Sequence, residues 1–232
     1  MLQSSSVQSW QNKQALIFIL DESLLDPSFN HHFWQEIIPK TYANLHSISL
    51  SQAQSLISTH KTAAQGSLND YSIDYWEKTL GINLLTLAKQ HAHLIRLNKY
   101  SEKFLFYIHN LTQRPKCHLV SNEHPDYLNF QLQLTGLECF FDVVTSSHEI
   151  GMPKQKQEFW PQYFKYLNLN AKNTVLLGGD SIAVRSAFDA GLEIIANKKD
   201  TMDPKHSKIQ YINNLSDLLP NNLTSFDMIY AR

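Results

Sequence analysis

The sequence predicts an α/β fold built on a parallel sheet, and three observations lead to it. Three short runs, Ala15–Leu20, Lys116–Val120 and Thr174–Leu177, are apolar enough to be strands buried on both faces. Helical patterns separate these runs, and strands that alternate with helices form βαβ units. A long segment without a convincing strand, 27–97, follows the first run. The pattern therefore predicts a sheet with helices on both faces and a helical insert after strand one.

Weaker signals complete the predicted core. They indicate a helix from Pro125 to near Gly136, a strand at Phe141–Thr145, a helix at Gln157–Leu167 and a strand at Leu192–Ala196. Proline in the first turn favours the helix start at 125, with Asn122 as a plausible N-cap. Because parallel strands end at one edge of the sheet, we expect the functional loops to meet there.

The segment 27–97 has aromatic and apolar residues at helical spacing, such as Phe29 and Phe33. We interpret it as a helical cap domain, with residues 1–26 and 98–232 forming the core domain. No proline- or glycine-rich linker marks the boundary. The cap is therefore expected to pack against the core.

The composition is that of an ordinary globular protein, with 232 residues, 43% of them hydrophobic and 18% charged. A net charge of −1 argues against nucleic acid as a partner, since phosphate backbones need a basic surface. No apolar run is long enough to span a membrane, and the N-terminus lacks signal-peptide features. We expect a cytoplasmic protein in which Cys117 and Cys139 are buried free thiols.

The stretch "LIFILDESLLD", residues 16–26, leads from the first predicted strand into a single carboxylate, Asp21. Acids that act together at a strand end commonly lie two residues apart, on the same face. The first position of such a pair is Ile19 here. Whether the chain retains any chemistry depends on this position.

The order of the elements resembles that of the haloacid dehalogenase-like (HAD) phosphatases. In both, a first strand leads into an acid, a second strand ends near a Ser or Thr, and a lysine and a last strand follow. The closer resemblance is to their GMP/IMP nucleotidase branch. It is carried by "DPSFNHHFWQEIIPKTYA", "LNDYSIDYWEKTLGI", "SNEHPDYLNFQLQLTGL" and "GMPKQKQEFWPQYFKYLNL", with similar spacing from Trp10 to about Gly191. The resemblance implies a Rossmann-like core with a cap after strand one, Mg²⁺-dependent phosphoryl transfer and phosphomonoester substrates.

In that family a nucleophilic aspartate attacks phosphorus, and a second aspartate two residues on acts as acid and base. The resemblance puts the acid/base at Asp21 and the nucleophile at Ile19, and the glycine after the acid is Glu22. Asp21 should not replace the nucleophile, because residues two apart on a strand are displaced by about 6.6 Å. In-line attack needs the reacting atoms within roughly 3–3.5 Å.

The resemblance also implies a phosphate site made of Ser23, Ser121, Asn122 and Lys154. Other interpretations stay open for these residues. Ser121 and Asn122 also fit a helix cap, and Lys154 fits a solvated loop lysine. The histidines have no zinc-site spacing, so we expect them to be solvated or packed.

The metal site that the resemblance implies is damaged. Ungapped spacing from Thr174 puts Gly178 and Gly179 at the positions of the family's acids, whereas a shift of one keeps Asp180. Mg²⁺ prefers octahedral oxygen ligation from carboxylates and phosphate. At most Asp21 and Asp180 remain, so we expect Mg²⁺ to bind only if the protein is active.

Three functional hypotheses follow. The first is a catalytically inactive pseudophosphatase that binds phosphate, a nucleoside monophosphate or, through the cap, a protein. The second is an active Mg²⁺-dependent nucleoside 5′-monophosphatase with a displaced nucleophile. The third is a structural subunit of an assembly, which aromatic residues of the cap could serve if exposed, although core packing fits most of them better: Trp34, Tyr71, Tyr75 and Trp76.

Overall fold

A single sheet of six parallel strands forms the centre of the computed structural model, which describes residues 10–197, 209–220 and 223. The strand order is β3-β2-β1-β4-β5-β6. The strands are β1 (Ala15–Ile19), β2 (Lys116–Ser121), β3 (Val143–Ser146), β4 (Thr174–Leu177), β5 (Glu193–Asn197) and β6 (Gln210–Ile212). The predicted α/β fold with a parallel sheet is confirmed.

Ten α-helices occur in the described part of the chain. They are α1 (Ser28–His32), α2 (Ile38–His46), α3 (Leu50–Ala64), α4 (Ile73–Leu80), α5 (Leu84–Gln90), α6 (Ser101–His109), α7 (Pro125–Thr135), α8 (Ser147–Ile150), α9 (Phe159–Leu167) and α10 (Ser181–Asp189). Wide helical turns also follow β1 and α1, at Leu20–Leu24 and Phe33–Ile37. None of the described helices is long and apolar enough to cross a membrane.

The central strand β1 is buried on both faces, and its side chains alternate between two apolar clusters. Leu16 and Phe18 pack with residues of α6 and α7. Ile17 and Ile19 pack on the other face with residues of α9 and α10. All five residues of β1 are fully buried, as a strand covered by helices on both faces requires.

The helices α1–α5 follow β1 and have an apolar cluster of their own, centred on buried residues such as Phe33 and Trp76. The chain leaves and returns at one place, where Leu25 and Leu97 form an isolated antiparallel bridge. The Asn98 N–H donates to the Leu24 carbonyl at 2.8 Å and so closes the segment. The assignment of residues 27–97 to a separate cap domain stays a prediction.

The predicted strand at Phe141–Thr145 is shifted in the structure to Val143–Ser146, and β6 had no sequence signal. The predicted N-cap at Asn122 is wrong. The Nδ1 atom of His124 accepts from the Asp126 N–H at 3.3 Å and caps α7 instead. The predicted core segments also include residues 1–9 and most residues after 220, which lie outside the described part of the chain.

Only one of the two cysteines is buried as expected. Cys117 is a buried free thiol in β2. Cys139 is exposed, because the short turn between α7 and β3 places it at the surface. The prediction of a buried Cys139 is wrong.

Candidate functional site

The carboxyl ends of β1, β2 and β4 lie side by side in the sheet. Ile19 is aligned with Val120 of β2, and Phe18 is aligned with Leu177 of β4. The loops that follow these strands therefore begin at the same edge. This arrangement brings together the residues after β1, at the end of β2 and after β4, as expected from parallel pairing.

Ile19 ends β1 with its side chain fully buried in an apolar cluster that includes Val120 and Val184. A Cβ atom added at Gly179 would lie 3.7 Å from Ile19 Cγ1, so the isoleucine side chain lies close to this glycine. An apolar side chain has no lone pair with which to attack an electrophile. The Ile19 side chain itself therefore cannot act as a nucleophile.

The wide turn after β1 is fixed to the strand by Ser23. The Ser23 hydroxyl donates to the Ile19 carbonyl, and Ser23 is buried. A Cβ atom added at Gly178 would lie only 2.7 Å from Ser23 Cβ, so this turn packs tightly against the end of β4. The Ser23 hydroxyl is therefore engaged in a hydrogen bond within the turn.

Asn122 positions the loop that carries Lys154. Its side-chain Oδ1 accepts from the Ser147 hydroxyl at 2.6 Å and from the Lys154 N–H at 2.9 Å. Asn122 and Lys154 are 1% and 2% exposed, respectively. The interpretation of Lys154 as a solvated loop lysine is therefore wrong, because the loop folds its side chain inward beside the end of β2.

Asp21 lies in the wide turn that follows β1 at the carboxyl edge of the sheet. At the end of β2, the Ser121 hydroxyl oxygen accepts from the Glu123 N–H at 3.1 Å. Burial raises the pKa of Asp21, while the Lys154 charge and the Ser121 hydrogen bond act in the opposite direction. This carboxylate lies among the residues expected to hold phosphate.

Asp180 caps helix α10 with one of its oxygens. Oδ1 accepts from the Ile182 and Ala183 N–H groups, each at 2.9 Å. Oδ2 accepts from Gln155 Nε2 at 2.8 Å. Gln155 is itself bound by the amide nitrogen of Asn122 at 2.8 Å, so a chain of side chains connects the ends of β2 and β4.

The residues at this edge do not fit Mg²⁺. The two positions that directly follow β4 are glycines, and both oxygens of Asp180 already accept hydrogen bonds from protein groups. Among the carboxylates that the structure describes at this edge, Asp21 is another, and the charge of Lys154 acts on its pKa. In the described part of the chain, no three His, Cys, Asp or Glu residues are grouped so as to hold a metal ion.

A cavity of about 240 Å³ adjoins this edge, between the helical segment and α7. Its walls are mainly aromatic and apolar: Phe33, Trp34, Tyr71, Ile73, Trp76, Leu84 and Tyr127. Tyr71 connects the cavity to the loop after β2, because its carbonyl accepts from the His124 N–H at 3.3 Å.

Three charged residues, Lys61, Asp70 and Glu123, also line the same cavity. Lys61 Nζ lies 3.9 Å from the Trp34 ring centroid and 3.9 Å from Asp70 Oδ1. The negative charge of Glu123 also favours the charged form of Lys61. The Tyr127 hydroxyl is buried and has no hydrogen-bond partner among the described residues. The cavity therefore combines flat apolar walls with groups that can bind a polar ring.

The sequence did not identify Gln155, Tyr71 or Lys61 as site residues. Gln155 directly follows Lys154, and Tyr71 lies in the stretch "LNDYSIDYW". Both therefore lie within segments that resemble the nucleotidases. This resemblance is the sequence feature that could have identified them as site residues. Lys61 lies on a polar helix with no distinguishing pattern.

Comparisons with known proteins agree with this architecture. Residues 16–197 match the family model described as haloacid dehalogenase-like hydrolase. The chain is 26% identical over 184 residues to the GMP/IMP nucleotidase YrfG of Escherichia coli (strain K12). This match covers 79% of the chain and 82% of the relative.

Solved structures show the same fold. A HAD phosphatase from Thermococcus onnurineus superposes with a TM-score of 0.73 at 19% identity, covering 88% of this chain and 95% of that one. An L-2-haloacid dehalogenase from Xanthobacter autotrophicus gives a TM-score of 0.60 at 14% identity, covering 89% and 96%. At such identities the likeness concerns the fold alone. With the match over 16–197, it follows that the chain belongs to the haloacid dehalogenase-like hydrolase family.

Proposed function

We propose that this protein is a catalytically inactive member of its family, a pseudophosphatase that acts by binding. The observation that carries the proposal is Ile19, a buried apolar side chain at the end of the central strand. Covalent phosphoryl transfer requires a nucleophile at that position. Loss of a covalent nucleophile in other enzymes lowers kcat by about 10⁶-fold.

The electrostatic part of the site supports the same proposal. Phosphoryl transfer needs positive charge against the oxygens of the transferring group. Gly178 and Gly179 supply no metal ligand after β4, and the carboxylate of Asp180 is used at the start of α10. Lys154 is then the cation that faces the phosphate position, and its charge already acts on the pKa of Asp21.

We propose a nucleoside monophosphate as the ligand class. The phosphate would contact Ser121 and Lys154, and the base would enter the aromatic cavity past Tyr71. The E. coli relative is named a GMP/IMP nucleotidase, which favours a purine ring. Because Lys154 and the Ser121 hydroxyl can hold an anion without metal, binding should not require Mg²⁺.

One observation favours a second candidate, a nucleotidase in which Asp21 is the nucleophile. The pKa of Asp21 responds to Ser121 and Lys154, two of the residues to which the resemblance assigns the phosphate. A raised pKa and the missing metal ligands argue against efficient attack.

A structural role through exposed aromatic residues of the segment 27–97 receives little support. Trp76 is fully buried, and Trp34 packs against it with ring centroids 5.0 Å apart. Tyr75 also packs on Trp76, at 5.2 Å. These rings stabilise the helical segment itself.

Titration calorimetry tests the proposal. GMP, IMP and AMP are titrated into the protein with and without Mg²⁺, and into the Lys154→Gln variant. We expect weak binding that is independent of Mg²⁺ and is lost in Lys154→Gln. A strict Mg²⁺ requirement, or unchanged binding in Lys154→Gln, would contradict the proposal.

A further inference from the structure

Gln155 joins the loops that follow β2 and β4. Its Oε1 accepts from Asn122 Nδ2 at 2.8 Å, and its Nε2 donates to Asp180 Oδ2 at 2.8 Å. We infer that the Gln155 amide performs the role that a divalent cation would have at this edge: it binds the carboxylate after β4 and connects that loop to the loop after β2. The inference rests on the proposed function, because it accounts for the metal independence of the same binding site.

The connection made by Gln155 spans the width of the central strand. β1 lies between β2 and β4 in the sheet, and neighbouring strands are about 4.8 Å apart. Asn122 directly follows β2, and Asp180 directly precedes α10. Because Gln155 is hydrogen-bonded to both, one side chain holds the loops on either side of β1 together.

The direction of each amide in this chain is fixed from both ends. The Lys154 N–H can only donate, so Asn122 must present its oxygen to Lys154 and its nitrogen to Gln155. An ionised carboxylate can only accept, so Gln155 must present its nitrogen to Asp180. Both neighbours therefore require the same orientation of Gln155. A side chain with one acceptor and one donor end meets this requirement, whereas a carboxylate at position 155 would face Asp180 with a second acceptor.

The protein's own donors already bind the Asp180 carboxylate. Oδ1 accepts from the Ile182 and Ala183 N–H groups, each at 2.9 Å, and Oδ2 accepts from Gln155. A cation would have to displace one of these donors. A hydrogen bond to a charged group is worth a factor of about ten or more in an equilibrium constant. The Gln155 amide should therefore weaken any binding of Mg²⁺ to Asp180 by about this factor.

Exchange of the amide and the carboxylate tests the inference. Gln155→Glu places two acceptors opposite each other, and Asp180→Asn places two donors opposite each other, so each single variant should be less stable than wild type. In the double variant Gln155→Glu/Asp180→Asn, the new amide can cap α10 with its oxygen and donate to the new carboxylate. Gln157→Glu is the matched control, since it adds the same charge at an exposed position of the same loop. Urea unfolding compares the five proteins with and without millimolar Mg²⁺, in the absence of any nucleotide.

We expect the double variant to recover most of the stability that each single variant loses. Mg²⁺ should stabilise Gln155→Glu, binding it about tenfold or more tightly than wild type, and should not change wild type or Gln157→Glu. If Gln155→Glu does not fold without Mg²⁺, the double variant should still be more stable than Asp180→Asn.

Additive losses in the double variant, or equal stabilisation of wild type and Gln155→Glu by Mg²⁺, would overturn the inference. A double variant no more stable than Asp180→Asn would also overturn it. Failure of the proposed function is separate, because it would appear as turnover of a phosphate ester by the wild type, and the unfolding experiment contains no such substrate.

Discussion

Ile19 and Gly179 lie next to each other at the carboxyl edge of the sheet. A Cβ atom on Gly179 would lie 3.7 Å from Ile19 Cγ1, an ordinary van der Waals distance. Both positions are ones at which the resemblance to the HAD phosphatases implies carboxylates, if the ungapped alignment of "LLGGDS" is right. Ile19 is apolar and Gly179 has no side chain, so the two residues form a packed, uncharged contact. Two carboxylates at the same positions would repel each other and would need a cation between them.

Ile19→Asp should destabilise the protein and should not create a phosphatase. The carboxylate would enter an apolar cluster, and burying an unpaired charge typically costs a few kcal/mol. Ile19→Val is the control, with an expected loss of about 1 kcal/mol from the removed methyl group. Chemical unfolding measures the stability, and phosphate release measures the activity. Turnover by Ile19→Asp alone would contradict our account of the metal site.

Adding Gly179→Asp to Ile19→Asp should restore some binding of Mg²⁺ and some hydrolysis. The two carboxylates would share one ion, so their effects should be strongly non-additive. Gly179 has φ +107° and a Cβ there would meet Val184 at 3.3 Å, so the substitution is itself strained. Gly178→Asp, with a clash at 2.7 Å, should fold worse. Calorimetry with Mg²⁺ and phosphate release compare each single and double variant.

If the Ile19→Asp/Gly179→Asp variant folds and binds Mg²⁺ but stays inert, the pocket has changed beyond these two positions. The chain would then be better described as a binding protein that kept only the scaffold of the family.

Lys154→Gln should destabilise the folded protein, because the charge of Lys154 favours the ionised form of the Asp21 carboxyl. The double variant Asp21→Asn/Lys154→Gln should cost less than the sum of the two single changes. Urea unfolding of the four proteins measures this coupling. Strict additivity would show that the two charges do not interact in the folded protein.

Acid should destabilise the protein through His118. Its Nδ1 lies 3.1 Å from the Tyr163 hydroxyl, and burial lowers the pKa of His118 from 6.5 to about 4. Between pH 6.5 and 4 the unfolded chain therefore binds a proton at His118 that the folded protein does not. The free energy of unfolding is highest above pH 6.5 and falls as the pH drops from 6.5 to 4. The loss is on the order of 3 kcal/mol. Chemical unfolding at several pH values across this range measures the loss. The His118→Gln variant should not show it.

The two cysteines should react at very different rates with a thiol reagent. Cys139 is exposed, whereas Cys117 is 2% exposed and burial raises its pKa to about 12. Mass spectrometry should find one modified thiol in the native protein and two after unfolding. Rapid modification of Cys117 in the native protein would contradict the packing of β2.

Much of the fold could be predicted because buried parallel strands have continuous apolar sequences. The apolar run before Asp21 is an example. Parallel pairing accounts for its position beside β2, the strand that ends at Ser121. Contacts that depend on side-chain direction could not be predicted. The wide turn that carries Asp21 after β1 is an example, because no sequence periodicity describes such a turn. The three-residue strand β6 is too short to give a pattern.

The cap at the start of α7 was mispredicted for a related reason. Asn122 has the right chemistry for an N-cap, but its oxygen is used to hold Ser147 and Lys154. His124, a less common capping residue, is two positions nearer to Pro125 and takes that role. Competition between tertiary and local hydrogen bonds decided this position.

Release of inorganic phosphate tests the central claim most directly. The assay uses GMP, IMP, AMP and a generic aryl phosphate, with Mg²⁺, at high protein concentration, for wild type and Asp21→Asn. The account predicts that any release stays at contaminant level, does not follow the protein through successive purification steps, and is the same in Asp21→Asn. Mg²⁺-dependent release that co-purifies with the wild type and disappears in Asp21→Asn would show an active phosphatase and contradict the account.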